Sequence, residues 1–256
     1  MPAVHIYDEH PPVKLDKRKP VSRPVPARVE GELVPVYVWD VVVRATHWAI
    51  VLSMIVLAIT GVYLGRPFVS AEGPAREHFV TGYMKIVHAY AAIAFTLAVL
   101  SRIVWMFLGP RHSGWRQFIP TSKRRLREMV ATFKFYIMLR PNPPQTRGHN
   151  PLAGATYVAV FGLYLVMIAS GLALYSIGTR SYMHGFQFLL PLFHGAQMAR
   201  WIHHVTMWLL IGFVVHHLFS ALLTSRVERN GTIDSIFSGY KFLPKNLPED
   251  DDKDVD

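Results

Sequence analysis

Four long apolar segments alternate with polar and charged segments along the chain. Each has about 20 residues or more, enough for a helix to cross the roughly 30 Å hydrocarbon core of a bilayer. The fourth segment contains no Asp, Glu, Lys or Arg. The pattern therefore predicts an all-α fold, an integral membrane four-helix bundle, with spans at about 45–64, 84–108, 151–177 and 201–225.

The segments between the spans are predicted to lie at the membrane surfaces. Residues 65–83 form a short polar loop, and residues 178–200 are broken by glycine and proline, which leaves them too short to span. Residues 109–150 are strongly basic and contain an apolar stretch at 126–139 that is interrupted by charged residues. This stretch is predicted to be an interfacial helix.

The two ends of the chain differ from the membrane segments. Residues 1–34 are rich in proline and charge and lack the apolar core of a signal peptide, whereas residues 244–256 are acidic. The sequence thus predicts a flexible cytoplasmic tail at 1–34, a four-span domain at 35–243 and an acidic cytoplasmic tail at 244–256.

Composition and charge agree with a membrane protein. Hydrophobic residues make up 51% of the chain and charged residues 17%. Much of the net charge of +10 comes from residues 109–150, where nine Lys and Arg residues accompany one acid, Glu128. Basic residues mark cytoplasmic loops, so the charge predicts a multi-pass protein with both termini in the cytoplasm and no nucleic-acid partner.

Cysteine is absent from the chain. This absence excludes disulfides, thiolate ligation of iron–sulfur clusters and covalently attached c-type haem. A haem bound here would have to be held by coordination from other side chains, and 13 histidines are available for it.

The fourth span carries four histidines, His203, His204, His216 and His217. Positions 14 residues apart on a helix return to about the same face and lie roughly 21 Å apart along the axis. His203 and His217 have this spacing, which suits two stacked haems rather than one metal centre. His204 and His216 are expected to be packing or hydrogen-bonded histidines.

The alternating directions of the spans pair these histidines with two others by depth. His47, at the start of the first span, lies near the cytoplasmic side, and His88, at the start of the second span, lies near the outer side. The fourth span places His203 outside and His217 inside. Depth therefore pairs His88 with His203 and His47 with His217, and each pair can supply the two imidazoles of a six-coordinate haem b.

Two more residues follow the same spacing of 14. Gly61 comes 14 residues after His47, at the outer level, where a missing side chain would make room for a flat macrocycle. Arg102 comes 14 residues after His88, at the inner level, where its guanidinium could pair with a haem propionate. Alternatively, Gly61 serves helix packing and Arg102 extends to the cytoplasmic headgroups.

Several motifs accompany these histidines along the chain. They are Val43-Arg44-x-x-His47-Trp48, His88, Gly148-His149-Asn150-Pro151, the pair His203 and His217, and Phe237-x-Gly239-Tyr240-Lys241. Together they resemble the motifs of the b-type cytochrome subunit of membrane-bound nickel–iron hydrogenases. The resemblance covers about 36–242. It implies a four-helix cytochrome of the bacterial inner membrane that holds two b haems, with His47, His88, His203 and His217 as axial ligands.

The resemblance also implies partners. Electrons would arrive from the iron–sulfur (small) subunit of a hydrogenase, which joins the large subunit on the periplasmic side, and would leave to quinone. The outer loops at 65–83 and 178–200 would dock the small subunit. Quinone would bind near the inner haem, close to Tyr37, Asp40 and Arg44 at the start of the first span. His149 would either help that site or, as the favoured alternative, order the start of the third span.

Three other functions stay open at this point. A cytochrome b subunit of formate dehydrogenase, or of another periplasmic oxidoreductase, would share these features. The doubled histidines at 203–204 and 216–217 suggest a non-haem di-iron membrane enzyme, although such enzymes gather their ligands at one membrane face. A transporter with a histidine proton relay would call for acidic partners within the spans, which contain none.

Overall fold

Four apolar helices account for most of the structure, which is a computed structural model. It describes residues 33–68, 79–110, 113–115, 118–119, 123–137, 151–178 and 184–245. In chain order the elements are β1 Leu33–Tyr37, α1 Val41–Gly65, α2 Val80–Leu108, α3 Lys123–Tyr136, α4 Pro151–Gly178, a 3-10 turn His184–Phe186, α5 Leu189–Leu192, α6 Ala196–Glu228, α7 Ser235–Ser238 and β2 Tyr240–Pro244.

Helices α1, α2, α4 and α6 are long and apolar enough to cross a membrane. They correspond to the four predicted spans, so the prediction of an all-α multi-pass membrane bundle is confirmed. Helix α6 begins five residues before the predicted start at 201 and ends three residues after the predicted end at 225. Many large apolar side chains on these helices are exposed, as expected for surfaces that face lipid.

The helices pack as two antiparallel hairpins. Helix α1 packs along α2, and α4 packs along α6, whereas contacts between the two hairpins are sparse. A central apolar cluster joins the hairpins and includes Ile50 from α1, Phe95 from α2, Tyr164 from α4 and Leu210 from α6. Phe95 and Leu210 each come seven residues after a candidate histidine, about 10 Å along the helix. The cluster therefore lies between the two predicted histidine levels.

A two-stranded sheet joins the two ends of the membrane domain. Strands β1 and β2 are antiparallel, with Leu33 opposite Pro244 and Tyr37 opposite Tyr240. The sequence patterns did not predict these strands. The predicted boundary between residues 34 and 35 falls inside β1, and the boundary between 243 and 244 falls inside β2.

The segments between the spans contain short helices. Helix α3 overlaps the apolar stretch predicted to be helical at 126–139, and it packs against α4. The 3-10 turn and α5 lie within the 178–200 segment. Predictions for residues 1–32 and 246–256, for most of the 65–83 loop and for the Gly148-His149-Asn150 motif lie outside the described residues.

Candidate functional site

The structure brings His88 of α2 and His203 of α6 together across the two hairpins. Their ring centres are 6.5 Å apart and their ring planes are inclined by 61°. With about 2.0 Å from metal to nitrogen and about 1.1 Å from nitrogen to ring centre, an iron-bridged pair of imidazoles has ring centres about 6.2 Å apart. The spacing at this outer level therefore fits a bis-imidazole haem.

Each of these two histidines contacts a hydroxyl group on the neighbouring helix of its own hairpin. His88 Nδ1 is 2.8 Å from Thr60 Oγ1 of α1. His203 Nδ1 is 2.9 Å from Ser170 Oγ of α4. Both rings thus meet a hydroxyl group through Nδ1 rather than through Nε2.

Glycines follow both hydroxyl residues and lie against the same rings. A Cβ atom at Gly61 would be 3.5 Å from His88 Cε1 and 3.3 Å from the sulfur of Met207. A Cβ atom at Gly171 would be 3.3 Å from His203 Cε1. The structure thus places Gly61 at the outer level, next to His88, which is the depth that its spacing from His47 predicts.

The inner level is formed by His47 of α1 and His217 of α6. The two imidazoles are close enough to interact electrostatically. His47 Nδ1 is buried and has no hydrogen-bond partner within the described part of the chain. His217 stacks on Phe213 with ring centres 5.6 Å apart, and His47 meets the ring of Trp48 edge-on at 5.3 Å. The structure thus brings the outer pair into ring contact and places His47 and His217 near one another, while their pairing by depth stays a prediction.

Arg102 lies at the inner end of α2 and is only 6% exposed. Its guanidinium sits 5.5 Å above the centre of the Phe118 ring, and its NH1 and NH2 groups are 3.4 and 3.5 Å from the carbonyl oxygen of Ser113. The Asp40 carboxylate is its nearby charge partner. The structure thus holds Arg102 within the protein, not extended to the headgroups.

Asp40 connects three elements at this end of the bundle. One carboxylate oxygen caps α1 by accepting a bond from the Val43 backbone N–H at 2.9 Å. The other oxygen accepts from Trp105 Nε1 at 3.0 Å and from Ser113 Oγ at 2.5 Å. Asp40 is therefore held firmly between the start of α1 and the end of α2.

Arg44, Tyr37 and the end of the chain meet at the same inner face. Arg44 NH1 donates to the carbonyl oxygen of Phe237, and the Phe237 ring packs on Trp48 at 4.9 Å. Arg44 Nε is buried without a partner in the described residues. Tyr37 contacts Tyr240 at 5.1 Å between ring centres. The two motifs at opposite ends of the domain thus form one surface.

Gly239 shows why the second of these motifs contains a glycine. Its φ is +89°, and a Cβ atom there would be 2.8 Å from the carbonyl oxygen of Trp39 and 2.6 Å from the ring of Tyr37. Only glycine combines this backbone conformation with so close an approach.

His204 and His216 are exposed and point away from the two levels. His204 Nε2 accepts a bond from Trp208 Nε1 at 3.2 Å, and His216 lies near the ring of Tyr136. Among the residues that the structure describes, no three His, Cys, Asp or Glu side chains form a metal-binding group. The single-face ligand cluster of the di-iron hypothesis is thus not present among them.

Sequence reasoning missed Thr60, Ser170 and the close approach of Gly171 to His203. A signal was available, because a hydroxyl residue followed by glycine occurs in both the first and the third span, as Thr60-Gly61 and Ser170-Gly171. The role of this hydroxyl–glycine pair depends on which helices face each other, and the sequence pattern does not contain that information.

Comparison with known proteins agrees with this architecture. Residues 38–239 match the family described as prokaryotic cytochrome b561. The match covers the whole four-helix domain, and the chain belongs to this family of membrane cytochromes.

Curated relatives are similar over most of their length. A "Probable Ni/Fe-hydrogenase B-type cytochrome subunit" of Bradyrhizobium diazoefficiens is 34% identical over 211 residues, which cover 80% of this chain and 85% of the relative. The protein of that name from Cupriavidus necator is 32% identical, with 80% and 86% covered. A "Probable Ni/Fe-hydrogenase 1 B-type cytochrome subunit" of Escherichia coli K12 is 32% identical, with 80% and 90% covered. These relatives and the family support haem b as the cofactor.

Proposed function

We propose that this chain is the membrane cytochrome of a hydrogenase complex in the bacterial inner membrane. It would receive electrons from the iron–sulfur subunit of a nickel–iron hydrogenase on the periplasmic side and deliver them to quinone. The observation that carries the proposal is the pair His88 and His203, which approach from two hairpins at the spacing of a bis-imidazole haem. The names of the relatives support the hydrogenase as partner.

The four histidines at two levels would hold two b haems. His88 and His203 would ligate the outer haem, and His47 and His217 the inner one. Each bound haem would supply a one-electron carrier, and the two levels together would span much of the membrane.

The residues around these levels exclude water and balance charge. The central cluster with Ile50, Phe95, Tyr164 and Leu210 fills the space between the levels with apolar side chains. Gly61 and Gly171 leave room beside the outer ligands. Arg102 contributes a buried positive charge near the inner level, where it would face a propionate while Asp40 stays on its other side.

The inner surface formed by Tyr37, Asp40 and Arg44 is the proposed quinone site. Arg44 and Tyr37 lie where the β1–β2 sheet meets the start of α1, close to the inner histidine His47. The buried Arg44 Nε, which has no partner in the described residues, is a donor that a quinone carbonyl could satisfy.

The outer ends of the hairpins are the proposed docking surface for the hydrogenase small subunit. Phe68 after α1 is 75% exposed, and Phe188 and Leu192 around α5 are each 69% exposed. Large apolar side chains in loops beyond the spans favour a protein partner there.

The test is the haem content of the purified chain, measured by pyridine haemochrome spectrum, followed by reduction of those haems in the complex under H2. About two b haems per chain, reduced by H2, are expected from two bis-imidazole sites. Absence of haem b would overturn the proposal. Reduction by formate and not by H2 would assign the chain to a formate dehydrogenase instead.

A further inference from the structure

The two outer histidines have the same surroundings, although they lie on different hairpins. Thr60-Gly61 of α1 faces His88 of α2, and Ser170-Gly171 of α4 faces His203 of α6. In each case the hydroxyl oxygen is within 2.9 Å of Nδ1 and the following glycine lies against Cε1 of the same ring.

The other bonds of the two hydroxyls determine which atom carries the shared hydrogen. Thr60 Oγ1 is 2.7 Å from the carbonyl oxygen of Val56, and Ser170 Oγ is 2.7 Å from that of Val166. A carbonyl oxygen can only accept, so each hydroxyl donates its single hydrogen to the backbone. The hydroxyl oxygen must then accept from the histidine, and Nδ1 is the protonated nitrogen.

We propose that Thr60 and Ser170 are positioning residues that fix the tautomer and ring orientation of the two outer haem ligands. This inference rests on the proposed haem-binding function. With Nδ1 as the hydrogen-bond donor, Nε2 keeps its lone pair for iron, and both rings are prevented from turning over. Partners of this kind outside the ligand shell orient metal-bound histidines and increase their basicity.

A more basic imidazole stabilises the oxidised, ferric state relative to the ferrous state. The bonds to Thr60 and Ser170 therefore lower the reduction potential of the outer haem. At the inner level, His47 Nδ1 is buried and has no such partner in the described residues. At His47 the inner level thus lacks a feature that sets potential and that both outer histidines have.

The experiment is a redox titration of the full-length purified chain, followed by the visible haem absorbance. The titration should show one redox component for each haem. The outer component, which belongs to the outer haem, is identified as the one lost in His88→Ala. Thr60→Val keeps the shape of the side chain and removes the hydroxyl, and Ser170→Ala removes the hydroxyl on the other hairpin. Both are expected to shift the potential of the outer component upward and to leave the inner component in place.

Two variants control for structural effects. Thr60→Ser restores a hydroxyl and is expected to keep the potential of the native chain. Ser53→Ala removes a buried hydroxyl of α1 that donates to the Ala49 carbonyl oxygen at 2.6 Å, and it is expected to shift neither component. If Thr60→Val loses the outer haem entirely, retention of that haem in Thr60→Ser still supports the role of the hydroxyl.

The outcomes separate this inference from the proposed function. Identical potentials for Thr60→Val, Thr60→Ser and the native chain would overturn the positioning role while leaving the cytochrome function intact. A native chain without two b haems would overturn the function on which the inference rests. A shift confined to the inner component would show that Thr60 and Ser170 do not act on the outer ligands.

Discussion

At the scale of single residues, six histidines of the spans divide into two groups. His47, His88, His203 and His217 are half-buried between helices, whereas His204 and His216 are exposed. Adjacent positions on a helix point about 100° apart. Two consecutive histidines therefore cannot both direct their rings into the interior of the bundle. One member of each pair therefore faces the bundle, and the other reaches its surface.

Replacing one outer ligand tests the pairing by depth. We expect His203→Ala to lose the outer haem and keep the inner one, so that the haem-to-protein ratio falls from about two to about one. Electron entry from the hydrogenase should stop, which flash or H2-driven reduction of the remaining haem would measure. His204→Ala is the matched control and should retain both haems. Two intact haems in His203→Ala would contradict the ligand assignment.

A glycine beside a ligand tests the fit of the outer site. A Cβ atom at Gly171 would lie 3.3 Å from His203 Cε1, tighter than an ordinary contact, and the ring is held by Ser170. Gly171→Ala should therefore displace His203 and reduce outer haem occupancy, as measured by absorbance per protein. Gly162 lies on the same helix, and a Cβ atom there would have no neighbour within 4 Å. The control variant Gly162→Ala should therefore retain both haems. Equal loss in both variants would point to a general helix effect.

At the scale of elements, the β1–β2 sheet and the end of α6 close the inner side of the bundle. Lys241 Nζ of β2 is 3.3 Å from Glu228 Oε2 of α6, and both side chains are less than 10% exposed. Asn230 Nδ2 donates to the same carboxylate oxygen at 2.7 Å. Trp39 Nε1 adds a bond to Ser235 Oγ at 3.1 Å. These contacts hold the inner surface of Tyr37 and Arg44 against the bundle.

Breaking this buried ion pair should destabilise the inner end of the domain. Lys241→Met leaves the Glu228 carboxylate buried without its counter-charge, and loss of one partner from such a pair costs about 3–5 kcal/mol. The free energy of unfolding in detergent would measure this cost. Exposed Lys134→Met is the control and should change it little. The double variant Glu228→Leu with Lys241→Met should recover most of the loss, and an equal loss in the double variant would argue against the charge explanation.

At the scale of the whole molecule, the orientation indicated by the charged segments must agree with the depths predicted for the histidines. The basic 109–150 segment and the two ends of the chain should face the cytoplasm, because positively charged loops stay on that side. With this orientation, the helix directions would place His88 and His203 near the periplasm and His47 and His217 near the cytoplasm. The proposed docking and quinone surfaces follow from this orientation.

The absence of cysteine from the chain makes the orientation directly testable. Single variants Phe68→Cys, in the loop after α1, and Lys123→Cys, at the start of α3, place one thiol on each predicted side. A membrane-impermeant maleimide should label Phe68→Cys in spheroplasts that lack the hydrogenase subunits, which would otherwise cover this position, and Lys123→Cys only after lysis. The cysteine-free native chain is the background control. The opposite labelling would invert the orientation and the roles of the two levels.

The sequence by itself determined the number of membrane-spanning helices and predicted the depths of the histidines. Apolar runs of about 20 residues have few alternatives to crossing a membrane, and the constant rise of a helix converts the spacing between His203 and His217 into a distance. The same reasoning placed Gly61 beside the outer level. These features are local, because they depend only on the periodicity of one helix.

Apart from the histidine pairs that depth predicts, only the tertiary structure decided which groups on different helices meet. The bonds of Thr60 to His88 and of Ser170 to His203 depend on how each helix is rotated about its axis in the bundle, and so does the burial of Arg102 beside Asp40 and Ser113. The β1–β2 sheet pairs Tyr37 with Tyr240, from opposite ends of the domain. Such contacts join positions that are far apart in sequence, so no local pattern specifies them.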